Sequence, residues 1–406
     1  MLWKTRAFLG PPIAAALLLT ACGPKPSGQP AAGAAVTAPS AADRAAVAQA
    51  MAKAALIKPG DRVLVSGSVR DADLLEDLAV EAMKLGGQPM ITIGSDRLDR
   101  RSYDDVPATY DNASPVLGLA LANAFDVQLN VDYGEGEGVL AGVPAARIAA
   151  RAKAYDPAYR AYLRAHVRYV DLGNGLYPTE KLASRLAMPQ ADLAHLFWQA
   201  AGMPAESIRA HGAAAYAAIS GGKQATITAP NGTNLTFTLI GSKAALSDGA
   251  LTPDKVKQGG FALNTFLPAG ELNVAALAGT ADGKLVIDKV VYRGSDVVGL
   301  TLVFSKGKLT SMTAASGLDP LKADYDAASG AKDQLAGIDL GLNPNIKLPL
   351  TTGRIVWMAA GALTVGVGDN QALGGTNVST FGMNGAISGA TVTVDGKTVL
   401  DHGALK

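Results

Sequence analysis

Glycine limits this chain before any other residue does. Residues 361–386, GALTVGVGDNQALGGTNVSTFGMNGA, carry glycine every few positions, and glycine reaches the left-handed backbone conformations that tight turns need. Across the whole chain, 46 glycines stand against an aromatic content of 5%. That composition suits many tight turns and short strands, and it favours α/β architecture over a helical bundle. The same stretch has the outline of a metal site in its GDN and LGGTN runs. Catalytic divalent ions are bound by His, Cys, Asp and Glu, and the stretch contains one such residue, Asp369.

At 406 residues the chain exceeds a usual single domain of ~100–200 residues, so two domains with appendages are expected. Residues 1–22 read as a lipoprotein signal peptide. Lys4 and Arg6 supply a basic start, and residues 7–21 form an apolar run shorter than the ~20 residues of a membrane-spanning helix. The run ends Leu19-Thr20-Ala21-Cys22, which resembles the bacterial lipobox. That resemblance implies acylation at Cys22, and Gly23 after it implies the outer membrane, with the body in the cell envelope facing the periplasm. Burial of acyl chains gives ~0.8 kcal/mol per CH2, so more than one chain anchors stably. Residues 23–42, rich in Pro, Ala, Gly and Ser, read as a disordered tether. The apolar runs 116–125 and 355–367 are too short to span a bilayer, and glycine interrupts both.

Cys22 is the only cysteine, so the body has no thiol for a disulfide, a metal or nucleophilic attack. The balance of 36 Lys+Arg against 35 Asp+Glu leaves no basic stripe with interleaved aromatics, and nucleic acid is not an expected partner. Residues 43–220 read as an N-terminal α/β domain and residues 221–406 as a β-rich α+β C-terminal domain. In the first, a helix over 43–56 precedes a βαβ unit built from strand 62–66, helix 71–85 and strand 89–93. Its turn, Ser66-Gly67-Ser68, lacks the G-x-G-x-x-G of dinucleotide binding.

A helix over 112–124 and a strand over 126–132 follow, leading to the loop carrying Glu135 and Glu137. Residues 144–164 read as helix broken near Pro157, and helices are expected over 180–186 and 189–201. After Gly221-Gly222 the pattern becomes period-two strands, including a hairpin at Pro230-Asn231-Gly232 and a turn at Lys306-Gly307. Helix 320–328 lies among them. His166, His195 and His211 have neither HExxH nor H-x-D spacing, and each reads as a surface or core-edge residue; His402, the one histidine after His211, lies beyond the last expected strand.

Seven segments in order resemble the thermophilic metalloaminopeptidases of the aminopeptidase T and S type, together with the structurally similar 2,5-dihydroxypyridine dioxygenases. They are Ile57-Lys58-Pro59-Gly60-Asp61-Arg62-Val63, Tyr177-Pro178-Thr179, Gly232-Thr233-Asn234-Leu235-Thr236-Phe237, Leu267-Pro268-Ala269-Gly270-Glu271, Gly341-Leu342-Asn343-Pro344, Gly366-Val367-Gly368-Asp369-Asn370 and Leu373-Gly374-Gly375-Thr376-Asn377-Val378-Ser379. The resemblance covers about residues 56–403. It implies two domains, a homodimer, and a metal site in the C-terminal domain at the mouth of a cavity. In the peptidases, two Zn or Co ions share carboxylates and histidines, and a metal-bound water attacks a polarised carbonyl.

Carried over residue by residue, the resemblance keeps Glu271 as the one retained ligand position. The family's second glutamate falls on Gly337, with Asp339 the nearest carboxylate. A family histidine falls on Thr364, or on Leu363 if the register slips by one, and the family's His-x-Asp becomes Gly382-Met383-Asn384. Glu271, Asp339 and Asp369 form an oxygen-only set that suits weakly held Ca2+ or Mg2+ and does not suit a zinc ion that must lower the pKa of water to ~7. The expectation is a membrane-anchored, aminopeptidase-like protein without a resident cofactor or catalytic residue, binding a peptide, small molecule or protein partner. The alternative is a residual metal-dependent aminopeptidase using Zn, Co or weakly held Ca or Mg.

Overall fold

The computed structural model describes residues 41–132, 138–348 and 352–406. The expected signal peptide, Cys22, nearly all of the tether, Glu135 and Glu137 lie outside them. Helix α1 (Ala41–Ala54) leads into β1 (Arg62–Ser68), α2 (Ala72–Lys84), β2 (Gln88–Gly94), α3 (Asp96–Asp104), α4 (Val116–Leu121), β3 (Val127–Val131), α5 (Ala145–Arg164) and β4 (Arg168–Leu172). Helices α6 (Glu180–Arg185), α7 (Gln190–Ala201) and α8 (Ala205–Gly221) follow.

The chain continues through β5 (Gln224–Thr228), β6 (Asn234–Thr238), β7 (Ala245–Ser247), α9 (Pro253–Gln258), β8 (Asn264–Leu267), β9 (Glu271–Ala275), β10 (Asp282–Tyr292), β11 (Ser295–Ser305) and β12 (Lys308–Thr313). It closes with α10 (Asp319–Ala327), β13 (Leu335–Gly341), β14 (Leu363–Gly368), β15 (Gly382–Ile387), β16 (Thr391–Val394), β17 (Lys397–Asp401) and β18 (Ala404–Leu405). Among the described residues, no helix is long and apolar enough to cross a membrane.

Three sheets organise these elements: β2-β1-β3-β4-β8, β12-β11-β10-β6-β5-β16-β17-β18, and β15-β14-β13-β9-β7. The first is parallel throughout. The expected βαβ unit is present there. Leu74, Leu75, Leu78 and Ala82 recur at helical spacing on α2 and are buried with Val63 and Val65. Gly86, at φ +83, ends that helix by donating its N–H to the Met83 carbonyl while Gly87 donates to that of Ala82, as a left-handed C-terminal cap does.

Strand β8 lies beyond residue 221, yet it pairs in parallel with β4, Tyr169 opposite Asn264 and Leu172 opposite Leu267. The second sheet packs on one face of the third. Ile227, Leu235, Phe237, Leu285 and Leu302 of the former share a core with Leu272, Val274, Ile338, Leu340, Leu363, Val365 and Val367 of the latter.

Three sequence expectations change. Helix α5 is not broken: it runs through Pro157 for 20 residues. Proline there removes one helical hydrogen bond, and burial of Ala158, Tyr159 and Ala161 offsets the loss. The expected helix 112–124 shrinks to α4, which Pro115 precedes. Helix α8, which alternation and charge did not reveal, spans 17 residues, because an alanine-rich helix shows little contrast between its faces.

Candidate functional site

The third sheet has two unlike faces. Residues two apart along a strand point the same way, and register fixes which of them are neighbours. Glu271 stands opposite Gly341 and Ser247. Two residues on, Asn273 stands opposite Asp339, Asp339 opposite Thr364, and Thr364 opposite Ala386. One further row sets Ala275, Gly337, Gly366 and Asn384 abreast.

Glu271, Asn273, Asp339, Thr364 and Asn384 therefore share a single face, and its reverse is the apolar core. Glu271 is 0% exposed, and Asn273, Asp339 and Thr364 are each 1% exposed. Glu271 and Asp339 are diagonal neighbours, which places their backbones ~7–8 Å apart.

The first sheet meets this face through a loop. After β4, Asn174 takes the left-handed conformation at φ +50. Its backbone N–H donates to Asp171 Oδ2 at 3.0 Å, and its side-chain amide donates to Glu271 Oε1 and to the Pro268 carbonyl at 3.1 Å. Behind Asp171 the polar chain continues into the first sheet. Asn130 Nδ2 donates to Asp171 Oδ1 at 2.6 Å, Ser66 Oγ donates to Asn130 Oδ1 at 2.8 Å, and Gln128 Nε2 donates to Ser66 Oγ at 3.2 Å.

Two phenols join this chain. Tyr169 donates to Asp171 Oδ1 at 3.0 Å and Tyr162 to Gln128 Oε1 at 2.9 Å. Burial pushes both phenols well above their usual range, so both remain neutral donors. Sequence reasoning missed Asn130, Asp171 and Asn174. Asn130 had a signal in period two: Gln128 and Asn130 alternate with Val127, Leu129 and Val131 on a strand whose every residue is buried.

The other expected site residues sit elsewhere. Gly382 stands opposite Gly368, four residues along β14 from Thr364 and so ~13 Å away along the strand. Asp369 lies beyond the end of β14, and its carboxylate is engaged locally. Oδ1 accepts from the Gln371 N–H at 3.2 Å, while Oδ2 accepts from Gln371 Nε2 at 2.8 Å and from the Ser379 N–H at 3.1 Å.

Its neighbours tie strand ends together. The fully buried Asn370 donates to the carbonyls of Ala276 and Ala336 at 3.1 and 3.0 Å and accepts the Asn377 N–H at 2.8 Å. Asn377 donates in turn to the carbonyls of Leu335 and Gly368. A Cβ on Gly375 would lie 2.2 Å from Asn370 Oδ1. The GDN and LGGTN runs thus form a structural knot, which accounts for a loop shaped like a site yet poor in ligands.

Other quoted segments have similar local roles. Asn343 Nδ2 donates to the Ala269 carbonyl at 2.8 Å, which locks Gly341-Leu342-Asn343-Pro344 onto the turn ahead of Glu271. Thr179 caps α6 by accepting the Leu182 N–H at 3.1 Å, and Tyr177 donates to Asp71 Oδ1 at 2.9 Å.

The donor set on the polar face does not suit a transition ion. Its carboxylates are flanked by amides and a hydroxyl, and imidazole or thiolate is what holds Zn, Co or Fe in most protein sites. His166, His195, His211 and His402 are all exposed. Among the described residues, no three His, Cys, Asp or Glu side chains gather as a metal site would require.

The family profile described as thermophilic metalloprotease (M29) matches residues 44–343. The wild-type AmpT structure from Thermus thermophilus is similar, with a TM-score of 0.66 at 18% identity, covering 90% of this chain and 99% of that one. So is 2,5-dihydroxypyridine dioxygenase from Pseudomonas putida KT2440, with a TM-score of 0.55 at 14% identity, covering 90% and 97%. No curated protein matches. At these identities the two structures establish a shared fold.

Proposed function

Since the chain belongs to the thermophilic metalloprotease family M29, we propose that it is a lipid-anchored member that uses the inherited fold to bind a peptide, small molecule or protein partner rather than to hydrolyse one. The observation that carries this reading is the polar face itself. Glu271 and Asp339 have Asn273, Thr364 and Asn384 as same-face neighbours, and every histidine is exposed. Carboxylates and amides in an enclosed setting are hydrogen-bonding groups that orient a ligand and set its specificity. They do not by themselves supply the water of lowered pKa that metallopeptidase chemistry needs.

Family membership favours one alternative, a residual metal-dependent aminopeptidase. It would have to work with Glu271 and Asp339, since Asp369 is committed to its own loop. The two readings separate on metal content and turnover of the purified protein. The binding reading expects substoichiometric Zn, Co and Fe and no hydrolysis of aminoacyl anilides that a chelator abolishes. Stoichiometric metal together with chelator-sensitive turnover would replace it with the enzyme.

The anchoring half of the proposal rests on Leu19-Thr20-Ala21-Cys22 and has its own test. Cys22→Ala should move the protein from the membrane fraction to the soluble fraction of a bacterial host, because one residue carries the acyl attachment. Retention of the variant in membranes would remove the anchor from the proposal.

A further inference from the structure

Strand β2 is the outer strand of the first sheet, with β1 on one side and, among the described residues, no strand on the other. Its side chains are open on both faces: Met90 is 39% exposed on one, and Ile91 and Ile93 are 42% and 55% exposed on the reverse. Parallel sheets are ordinarily covered on both faces, so β2 lacks a cover that its neighbours have. Edge strands that stay single are short, charged or covered. The other edges fit that rule: β12 carries Lys308, β18 has two residues, and β7, β8 and β15 are wholly or mostly buried. Strand β2, Gln88-Pro89-Met90-Ile91-Thr92-Ile93-Gly94, has seven residues and no charge. The Gln88 N–H donates to the Asp61 carbonyl at 2.8 Å, toward β1, and successive residues of a strand in a parallel pair direct their backbone groups to alternate sides. Met90, Thr92 and Gly94 therefore also turn to β1, while Pro89, Ile91 and Ile93 turn outward. Proline stands where β1 needs no donor, as it does in edge strands. The outward groups are the N–H of Ile91 and Ile93 and the carbonyls of all three.

We propose that this edge pairs with the same edge of a second copy of the chain, antiparallel about a two-fold axis through Ile91, the midpoint of the strand. In that register Ile91 of one copy faces Ile91 of the other, and the two exchange both backbone hydrogen bonds. The Ile93 N–H of each copy donates to the Pro89 carbonyl of the other. Every outward donor is then satisfied, and the N–H that proline lacks falls where only the Ile93 carbonyl would have used it. The side chains match as well. Ile91 meets Ile91 and Pro89 meets Ile93 on one face, and Met90 meets Thr92 on the other, so the exposed apolar groups cover one another as cross-strand pairs. An uncharged strand meets its own copy without like-charge repulsion. An arbitrary extended peptide could satisfy the same donors, but two-fold symmetry alone guarantees these side-chain partners. One strand pair falls below the ~1,600 Å² of a standard interface, so the dimer is one that dissociates on dilution. The inference does not depend on what the Glu271 face binds.

The test uses the full chain carrying Cys22→Ala, so that no acyl group drives association. Sedimentation velocity over a range of concentrations should show a reversible equilibrium between monomer and dimer. Ile91→Lys sets two ammonium groups against each other at the axis, and Ile91→Glu sets two carboxylates there. Each variant alone should raise the dimer dissociation constant roughly tenfold or more. An equimolar mixture of the two should recover most of the loss, because opposite charges then face each other. Ile91 is exposed, so both variants should keep the circular dichroism of the unaltered chain, and the mixture separates a lost contact from a lost fold. A monomer at every concentration, a dimer that neither substitution weakens, or weakening by both without recovery in the mixture overturns the proposal. A monomer that binds a labelled synthetic peptide of sequence 88–94 would give the edge to extended peptides in place of a second copy, and overturns it equally.

Discussion

Thr364→His should bind Zn2+ or Co2+ roughly a hundredfold more tightly than the unaltered chain. Thr364 stands directly opposite Asp339 on the face that Glu271 shares, so an imidazole there would complete a set of one nitrogen and two carboxylate donors. Structural zinc sites gain ~10–16 kcal/mol from about four ligands, or ~3 kcal/mol for each, and 1.4 kcal/mol is a factor of ten. The position is 1% exposed, so the larger side chain carries a packing cost of ~1–3 kcal/mol in the metal-free protein. A variant that is less stable without metal and is rescued by it is the combined signature. Titration calorimetry and the visible spectrum of bound Co2+ would both read the gain, and Glu271→Gln in the same background should remove most of it. An isotherm no different from that of the unaltered chain would show that the polar face cannot converge on an ion even when given the missing nitrogen.

Asn370→Ala should lower stability by about 3 kcal/mol, the largest single loss expected from a polar residue in this fold. The side chain is 0% exposed and serves two carbonyls and one amide that belong to three separate segments. Truncation leaves those groups buried without that partner, and each such group costs ~1–3 kcal/mol. Urea unfolding should show a lower midpoint with an unchanged slope. If residues 361–386 formed a ligand-binding loop instead, the substitution would cost ligand affinity and leave the unfolding midpoint in place. Measuring both quantities on one variant decides between a knot and a pocket.

Elements with a local physical signature were legible in the sequence. The βαβ unit at the start of the body could be read because Val63 and Val65 alternate and Leu74, Leu75 and Leu78 keep helical spacing. The turn at Lys306-Gly307 was legible for a similar reason: a tight hairpin needs two left-handed residues, and these two stand at φ +50 and +80. Glu271 could be singled out by resemblance alone. The same resemblance named Asp339, Thr364 and Asn384 beside it, whereas composition and periodicity could not, because register brings these residues to one face across strands far apart in the chain. Asn174 was invisible for a related reason. Its role depends on a left-handed backbone and on a carboxylate 97 residues away, and neither leaves a mark in composition or periodicity. Asp369 misled in the opposite way. A carboxylate in a glycine-rich loop resembles a ligand until its backbone partners are known.

Strand β8 has a consequence for the order in which the molecule can be made. A ribosome emits β4 long before it emits residues 264–267, so the bare edge of β4 must wait for its neighbour while α6, α7, α8 and the first hairpin of the second half appear. A nascent chain in that interval presents an open template to any extended segment that passes.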